Sequence, residues 1–204
     1  MSGYINGIDV SHYQGTIDWH KVAASGVTFA YAKASEGVNT NDAQITANLT
    51  GMAKAGVMRG AYHFYTVGKD PEQQAQHFMR NVTLAPGDLP PMVDIETEAA
   101  NAESNSGLID DLHRFIGILS DTYGKAPFIY TGPSFWNAHM NDSFADCPLW
   151  VAEYGVSEPK PVTGWGYWSI WQYSRTGSVP GVSGDVDLDY FNGTLDQLKK
   201  FVLT

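Results

Sequence analysis

Strand-like and helix-like segments alternate from one end of the 204-residue sequence to the other. This alternation constrains the fold most, because a strand, a crossover helix and a second strand return the chain in the same direction and build a parallel sheet. Residues 5–10 read as a first strand, and residues 18–25 as a short helix stopped by Gly26. Residues 27–33 form a second strand. A helix opening at Asp42 carries Ile45, Leu49 and Met52 on one face and ends at Gly56. Residues 57–65 give a third strand. Asp70, Pro71 and Gln73 then supply an N-cap, a proline at the first helical position and a capping Gln. The fourth strand is expected at 91–97, followed by an amphipathic helix with Leu108, Leu112, Phe115, Ile116 and Leu119 on one face. Further strands are expected at 126–131, 149–153, 167–173 and, very short, 186–190. A short turn or helix lies at 134–140, and a last helix is capped by Thr194 and Gln197. Eight strands with five to six helices predict an α/β fold, an irregular TIM-like β/α barrel with incomplete helical decoration. A doubly wound open sheet is the main alternative.

The length suits one good core and is short for two, and neither a linker nor an internal repeat divides it, so residues 1–204 read as a single domain. The net charge of −10 argues against nucleic acid, whose phosphates need clustered Lys and Arg. It gives no attraction to an anionic membrane, and no apolar run approaches the length of a membrane span. The start of the sequence has no basic and apolar pattern of a signal peptide. Cys147 is the single cysteine, which excludes an internal disulfide and a thiolate-rich zinc site. It reads as a small buried residue before a strand. Nothing indicates an interface, so a monomer is expected.

Within the fourth strand stands Val93-Asp94-Ile95-Glu96. Alternate residues of a strand share a face, so Asp94 and Glu96 point the same way with Cα atoms roughly 6–7 Å apart. Two carboxyls so close cannot both ionise freely, and their pKa values separate. One protonated acid beside one carboxylate is the equipment for cleaving a glycosidic bond. The plain alternative is a pair of strand-end residues in water, or a helix-capping pair. Asp9 on the apolar first strand costs free energy unless it is paired or caps a turn. The run Asp185-Val186-Asp187-Leu188-Asp189 begins like a calcium loop, but Tyr190 and Asp196 stand where the loop needs Gly and Glu. A polar strand edge or an active-site carboxylate are the other readings. The six histidines lack ligand spacing, and no phosphate loop, dinucleotide fingerprint, nucleophile elbow or zinc-protease motif is present. No metal and no organic cofactor is expected. In the barrel reading Asp9, Lys33, Tyr62, Glu96, Tyr130 and Asp187 fall near the C-terminal ends of strands, the face where such barrels place their sites.

Several motifs then line up in order. They are the segment from Gly7 to Gly15, the segment from Ala30 to Gly37, Gly60-Ala61-Tyr62-His63-Phe64, and Val93-Asp94-Ile95-Glu96. Ile129-Tyr130-Thr131, Leu149-Trp150-Val151-Ala152, Trp171-Gln172-Tyr173-Ser174 and the segment from Val186 to Phe191 complete the set. Together they resemble the lysozymes of glycoside hydrolase family 25 over nearly the whole chain. The resemblance implies an irregular β/α barrel and an N-acetylmuramidase that retains configuration. Its partner would be the glycan strands of peptidoglycan, in the bacterial cell wall. It implies Glu96 as general acid, Asp94 as its neighbouring carboxylate, and Asp9 and Asp187 as further cleft acids. Lys33, Tyr62 and Tyr130 would be substrate-binding. Asp189 departs from the pattern, where Asn is more often expected. A chitinase-like glycosidase is the second enzyme reading, although Pro90, Pro91 and Met92 replace the upstream acids of that motif. A wall-binding module without turnover is the non-enzymatic one.

Overall fold

The computed structural model describes residues 3–96 and 105–204. Among the described residues there are nine strands: β1 (Ile5–Val10), β2 (Phe29–Glu36), β3 (Thr40–Asn41), β4 (Met58–Phe64), β5 (Met92–Asp94), β6 (Phe128–Thr131), β7 (Leu149–Ala152), β8 (Ile170–Gly177) and β9 (Val186–Phe191). The helices are α1 (Trp19–Ala24), α2 (Ile45–Ala55), α3 (Pro71–Asn81), α4 (Asn105–Tyr123), α5 (Pro133–His139) and α6 (Leu195–Leu198). All strands except β3 form a barrel, closed by β1 pairing with both β2 and β9. The expected eight-stranded barrel is therefore the fold, and the open sheet is excluded. Strand β3 pairs antiparallel with the end of β2 as a small flap on the barrel.

Strands β1 to β8 of the barrel run parallel, and β9 runs antiparallel to both β8 and β1. The cause is the connection between β8 and β9, which is short and holds no helix. A short connection turns the chain back on itself, whereas a parallel return needs a crossover. Asp187 is consequently near the start of its strand, yet it lies beside Asp9 at the same end of the barrel. Aromatic side chains stand where a helix would cover this wall. Tyr173 and Tyr190 stack with centroids 4.0 Å apart, and Tyr4 packs on Tyr190 and Trp168.

Local chemistry sets most helix ends as expected. The Asp70 carboxylate accepts from the amides of Glu72 and Gln73, Pro71 follows it, and α3 starts there. Thr194 and Gln197 form the expected capping box, but α6 lasts one turn and continues as a 3₁₀ turn. Helix α2 begins at Ile45, later than expected, because the Asp42 carboxylate is occupied by the amide and ring of His12 and by the amide of Gln44. Strand β8 starts at Ile170, after the expected 167, and β9 is a full six residues. The largest difference is at β5, which ends at Asp94 and leaves Glu96 two residues beyond it. The backbone still pairs for one more residue, since the Ile95 amide donates to the Tyr130 carbonyl at 3.0 Å. Thr97, the end of the expected strand, lies outside the described residues.

The strand period of two divides the core in two. Outward residues such as Ile8, Val10, Ala30, Val93 and Ile129 pack against the helices. Inward residues form a separate plug of Phe29, Tyr31, Met92, Phe128, Trp150, Ile170 and Phe191. Gly60 makes room for this plug, because a Cβ there would lie 2.3 Å from the Tyr31 ring. Among the described residues no helix is long and apolar enough to cross a membrane. The tight fit at Gly60 predicts that Gly60→Ala forces Tyr31 off its rotamer and destabilises the fold by about 1–3 kcal/mol. Urea denaturation checks this, with an unchanged midpoint as the contrary result.

Candidate active site

Above the apolar plug, the same inward positions turn polar. On β1 the inward series passes from Gly7 to Asp9, on β2 from Tyr31 to Lys33, and on β4 from Gly60 to Tyr62. On β5 it passes from Met92 to Asp94, on β6 from Phe128 to Tyr130, and on β8 from Ile170 to Gln172. Strand β9 contributes Asp187 and Asp189 from the opposite direction. Six parallel strands thus pass from an apolar or glycine inward position to a polar one, while β7 keeps Trp150 and Ala152 on that face. The polar layers meet at the barrel end where β1 to β8 finish, the usual place for a site in such barrels.

A cleft of about 200 Å³ opens there. All seven residues singled out in the sequence line it: Asp9, Lys33, Tyr62, Asp94, Glu96, Tyr130 and Asp187. Asp9 and Asp187 face one another across the β1–β9 pairing, and Asp94 is paired with Tyr130 across β5–β6. Asp94 is buried, and its Oδ1 has no hydrogen-bond partner. Glu96 stands at the exposed rim. Lys33 donates to Glu36 at 2.7 Å and lies 4.8 Å above the Phe64 ring, which fixes its charge beside the acids.

Gln172, within the segment Trp171-Gln172-Tyr173-Ser174, joins the site although no neighbouring residue in the sequence marks it for a functional role. Its amide nitrogen donates to Asp9 Oδ2 at 2.6 Å. Its carbonyl oxygen accepts from Tyr130 at 2.8 Å and from the Tyr154 hydroxyl. A buried Gln on an apolar strand needs such partners, and this is the signal by which the sequence could have revealed it. Tyr13 also lines the cleft, 82% exposed, with its ring set against His12. It sits on a one-turn 3₁₀ segment (His12–Gln14) whose start is set by a capping box of Ser11 and Gln14.

The acids share one electrostatic situation. Burial raises Asp94 well above the ordinary carboxylate range, and Glu96 and Asp9 raise it further. Burial also raises Glu96, against the opposing charge of Lys33. Asp9 is raised by burial and then by Asp187. Asp187 is pushed up to about 6 by burial, opposed by its hydrogen bond with Asp9. Burial and mutual repulsion thus make each of these acids hold its proton more tightly than an exposed carboxyl does. Among the described residues no three His, Cys, Asp or Glu side chains are disposed to hold a metal ion. Burial raises the Cys147 thiol to about 12, which leaves it unreactive.

A closed β/α barrel with a cluster of acids at its C-terminal mouth is an arrangement suited to a glycoside hydrolase. The family model for "Glycosyl hydrolases family 25" matches residues 8–182, and the chain belongs to that family. Lysozyme M1 of Streptomyces globisporus is 40% identical over 95% of this chain and 70% of its own length. The crystal structure of the bacterial lysozyme from Streptomyces coelicolor superposes with a TM-score of 0.92 at 36% identity, covering 99% of this chain and 98% of that one. A family 25 glycosyl hydrolase from Bacillus anthracis gives a TM-score of 0.90 at 30% identity, covering 100% and 96%.

Asp187 generates a test of this electrostatic picture. Its carboxyl binds a proton more tightly folded, at about 6, than at its ordinary value of 3.8. The stability it adds is therefore fully present below pH 3.8 and lost as the pH rises through about 6. Thermal melting of wild type should weaken over that window relative to Asp187→Asn, whose curve lacks this component. Parallel curves for the two proteins would remove the shift.

Proposed function

We propose that the protein is a peptidoglycan hydrolase, an N-acetylmuramidase that cuts the β-1,4 bond from N-acetylmuramic acid to N-acetylglucosamine. The observation that carries this reading is the pair of Asp94, buried with one oxygen unpartnered, and Glu96, raised at the rim of the same cleft. Membership of family 25 and the likeness to lysozymes support it. The Asp94–Glu96 pair holds one proton between its members, and Glu96, at the rim, delivers it to the leaving O4 oxygen as the bond breaks, with Asp94 left ionised. Such assistance contributes roughly 10²–10⁴-fold. Positive charge then develops on the sugar ring, and the ionised aspartates around it stabilise that charge.

Asp94 acts on the other side of the anomeric carbon. Its unpartnered oxygen has two uses, and both retain configuration. It attacks the carbon directly, or it accepts the N–H of the substrate's 2-acetamido group while that group's oxygen attacks. Trapping with a slow fluorinated glycoside separates the two, because only direct attack leaves the sugar esterified to Asp94. Lys33, Tyr62 and Tyr130 line the cleft and bind the sugar. The reaction needs the protein's acids, the substrate and water, with residues 1–204 acting as one catalytic domain and as a monomer on the cell wall.

Glu96→Gln should lower wall clearing by about 10²-fold or more while circular dichroism stays native. Asp94→Asn should be severely impaired. Near-normal clearing by Glu96→Gln would remove the acid assignment. Mass analysis of products from defined peptidoglycan should place muramic acid at the new reducing end. Glucosamine there, or preferred release from colloidal chitin offered in parallel, would refute the bond assignment.

A further inference from the structure

The carboxyl of Asp189 lies behind the cleft and is 1% exposed. One oxygen is accounted for, since Oδ1 accepts from the Trp150 indole N–H at 3.1 Å. No N–H or protein hydroxyl donates to the other oxygen, Oδ2. The register of β1 and β9 instead sets Asp189 opposite Gly7 and diagonally beside Asp9 on the same inward face, so its carboxyl lies against that of Asp9, itself 6% exposed. Two carboxylates in that relation have only acceptor atoms to offer one another. The contact becomes favourable when one of them carries a proton, and ruinous in so dry a place when neither does.

The neighbours decide which acid holds it. Asp9 already accepts from the Gln172 amide, which favours its ionised form. Gln172 cannot be turned round to relieve Asp9, because its carbonyl is committed to Tyr130 and Tyr154. Asp187, two residues earlier on β9 and nearer the mouth, is a further acid facing Asp9. The two cations near the cluster act elsewhere, Lys33 on Asp94 and Glu96, and Arg175 on Asp187. We infer that Asp189 is kept as the neutral acid and donates its proton to the Asp9 carboxylate, making it a positioning residue for the site. Asp9 is then gripped by an amide and by a carboxylic acid, and the three aspartates of β1 and β9 carry one charge fewer than their number. The burial of Asp189 and the charges of Asp9 and Asp187 act in the same direction. The positioning role rests on the lysozyme reading of the cleft, whereas the place of the proton does not.

Carboxyl ¹³C NMR of aspartate-labelled protein, with Asp189 assigned by its loss in Asp189→Asn, tests the proton directly. The expected resonance keeps its protonated shift through pH 7, and titration in the ordinary carboxylate range would overturn the proposal. The activity series tests the positioning. Asparagine can accept from Trp150 and donate to Asp9, so Asp189→Asn should stay within about threefold of wild-type kcat/KM and keep that value at alkaline pH, while Asp189→Ala falls by about tenfold or more. Equal activity of the two variants, or a loss in Asp189→Asn as deep as in Asp189→Ala, would overturn it. The NMR arm uses only wild type and Asp189→Asn, so it stands even if Asp189→Ala does not fold. A protonated Asp189 in a protein that releases nothing from peptidoglycan would support the proton assignment and defeat the lysozyme reading.

Discussion

The Trp150 indole joins the two chemistries of the barrel interior. Its ring meets Tyr31 edge-on at 5.0 Å and touches Phe29, Phe128 and Tyr130 at 6.1–6.4 Å, so the apolar plug is assembled around it. Its N–H points the other way, at Asp189 in the acid layer. A buried indole needs one acceptor, and a buried carboxyl needs donors. Each meets the other's need, and the boundary between plug and site falls at that bond. The plug in turn gives the acids above it a low-dielectric floor. Without that floor the carboxyls would be better hydrated, and their proton affinities would fall towards ordinary values.

The cleft crowds acids around little compensating charge. Five carboxyls, those of residues 9, 94, 96, 187 and 189, stand in or behind a cleft in which Lys33 is the cationic lining residue. The cluster costs stability at neutral pH, as proton-sharing sites do, and the closed sheet with its double core supplies the excess that tolerates it. Hydrogen bonds distribute the protons and charges. Gln172 holds Asp9 and orders two tyrosine hydroxyls, while Lys33 is steadied by Glu36 and Phe64.

Much of this was legible in the residues. Alternating periodicity gave the strands, and Asp70-Pro71 and Thr194 marked helix starts, because caps and periods are local physics. The acids at 9, 94, 96 and 187 were legible because charge on apolar strands has to be explained. Other features depended on partners distant in sequence. The early end of β5 and the reversal of β9 are set by neighbouring strands and by a short connection. The late start of α2 comes from His12 drawing on Asp42, thirty residues away. Gln172 looked like one more residue of an aromatic strand, since nothing adjacent announces that residues 9, 130 and 154 meet it.

The seam between β1 and β9 has a kinetic consequence. Asp9 and Asp187 are 178 positions apart (187 − 9) yet become direct partners. Loop-closure entropy makes such distant pairings late events in folding. During synthesis, at about 5–20 residues per second, the ribosome releases the segment that carries residue 187 many seconds after the one that carries residue 9. Throughout that interval the acid group is divided and the barrel is open. The cleft is thus assembled by the final docking step, and a nascent or truncated chain lacking β9 has no complete set of acids with which to act.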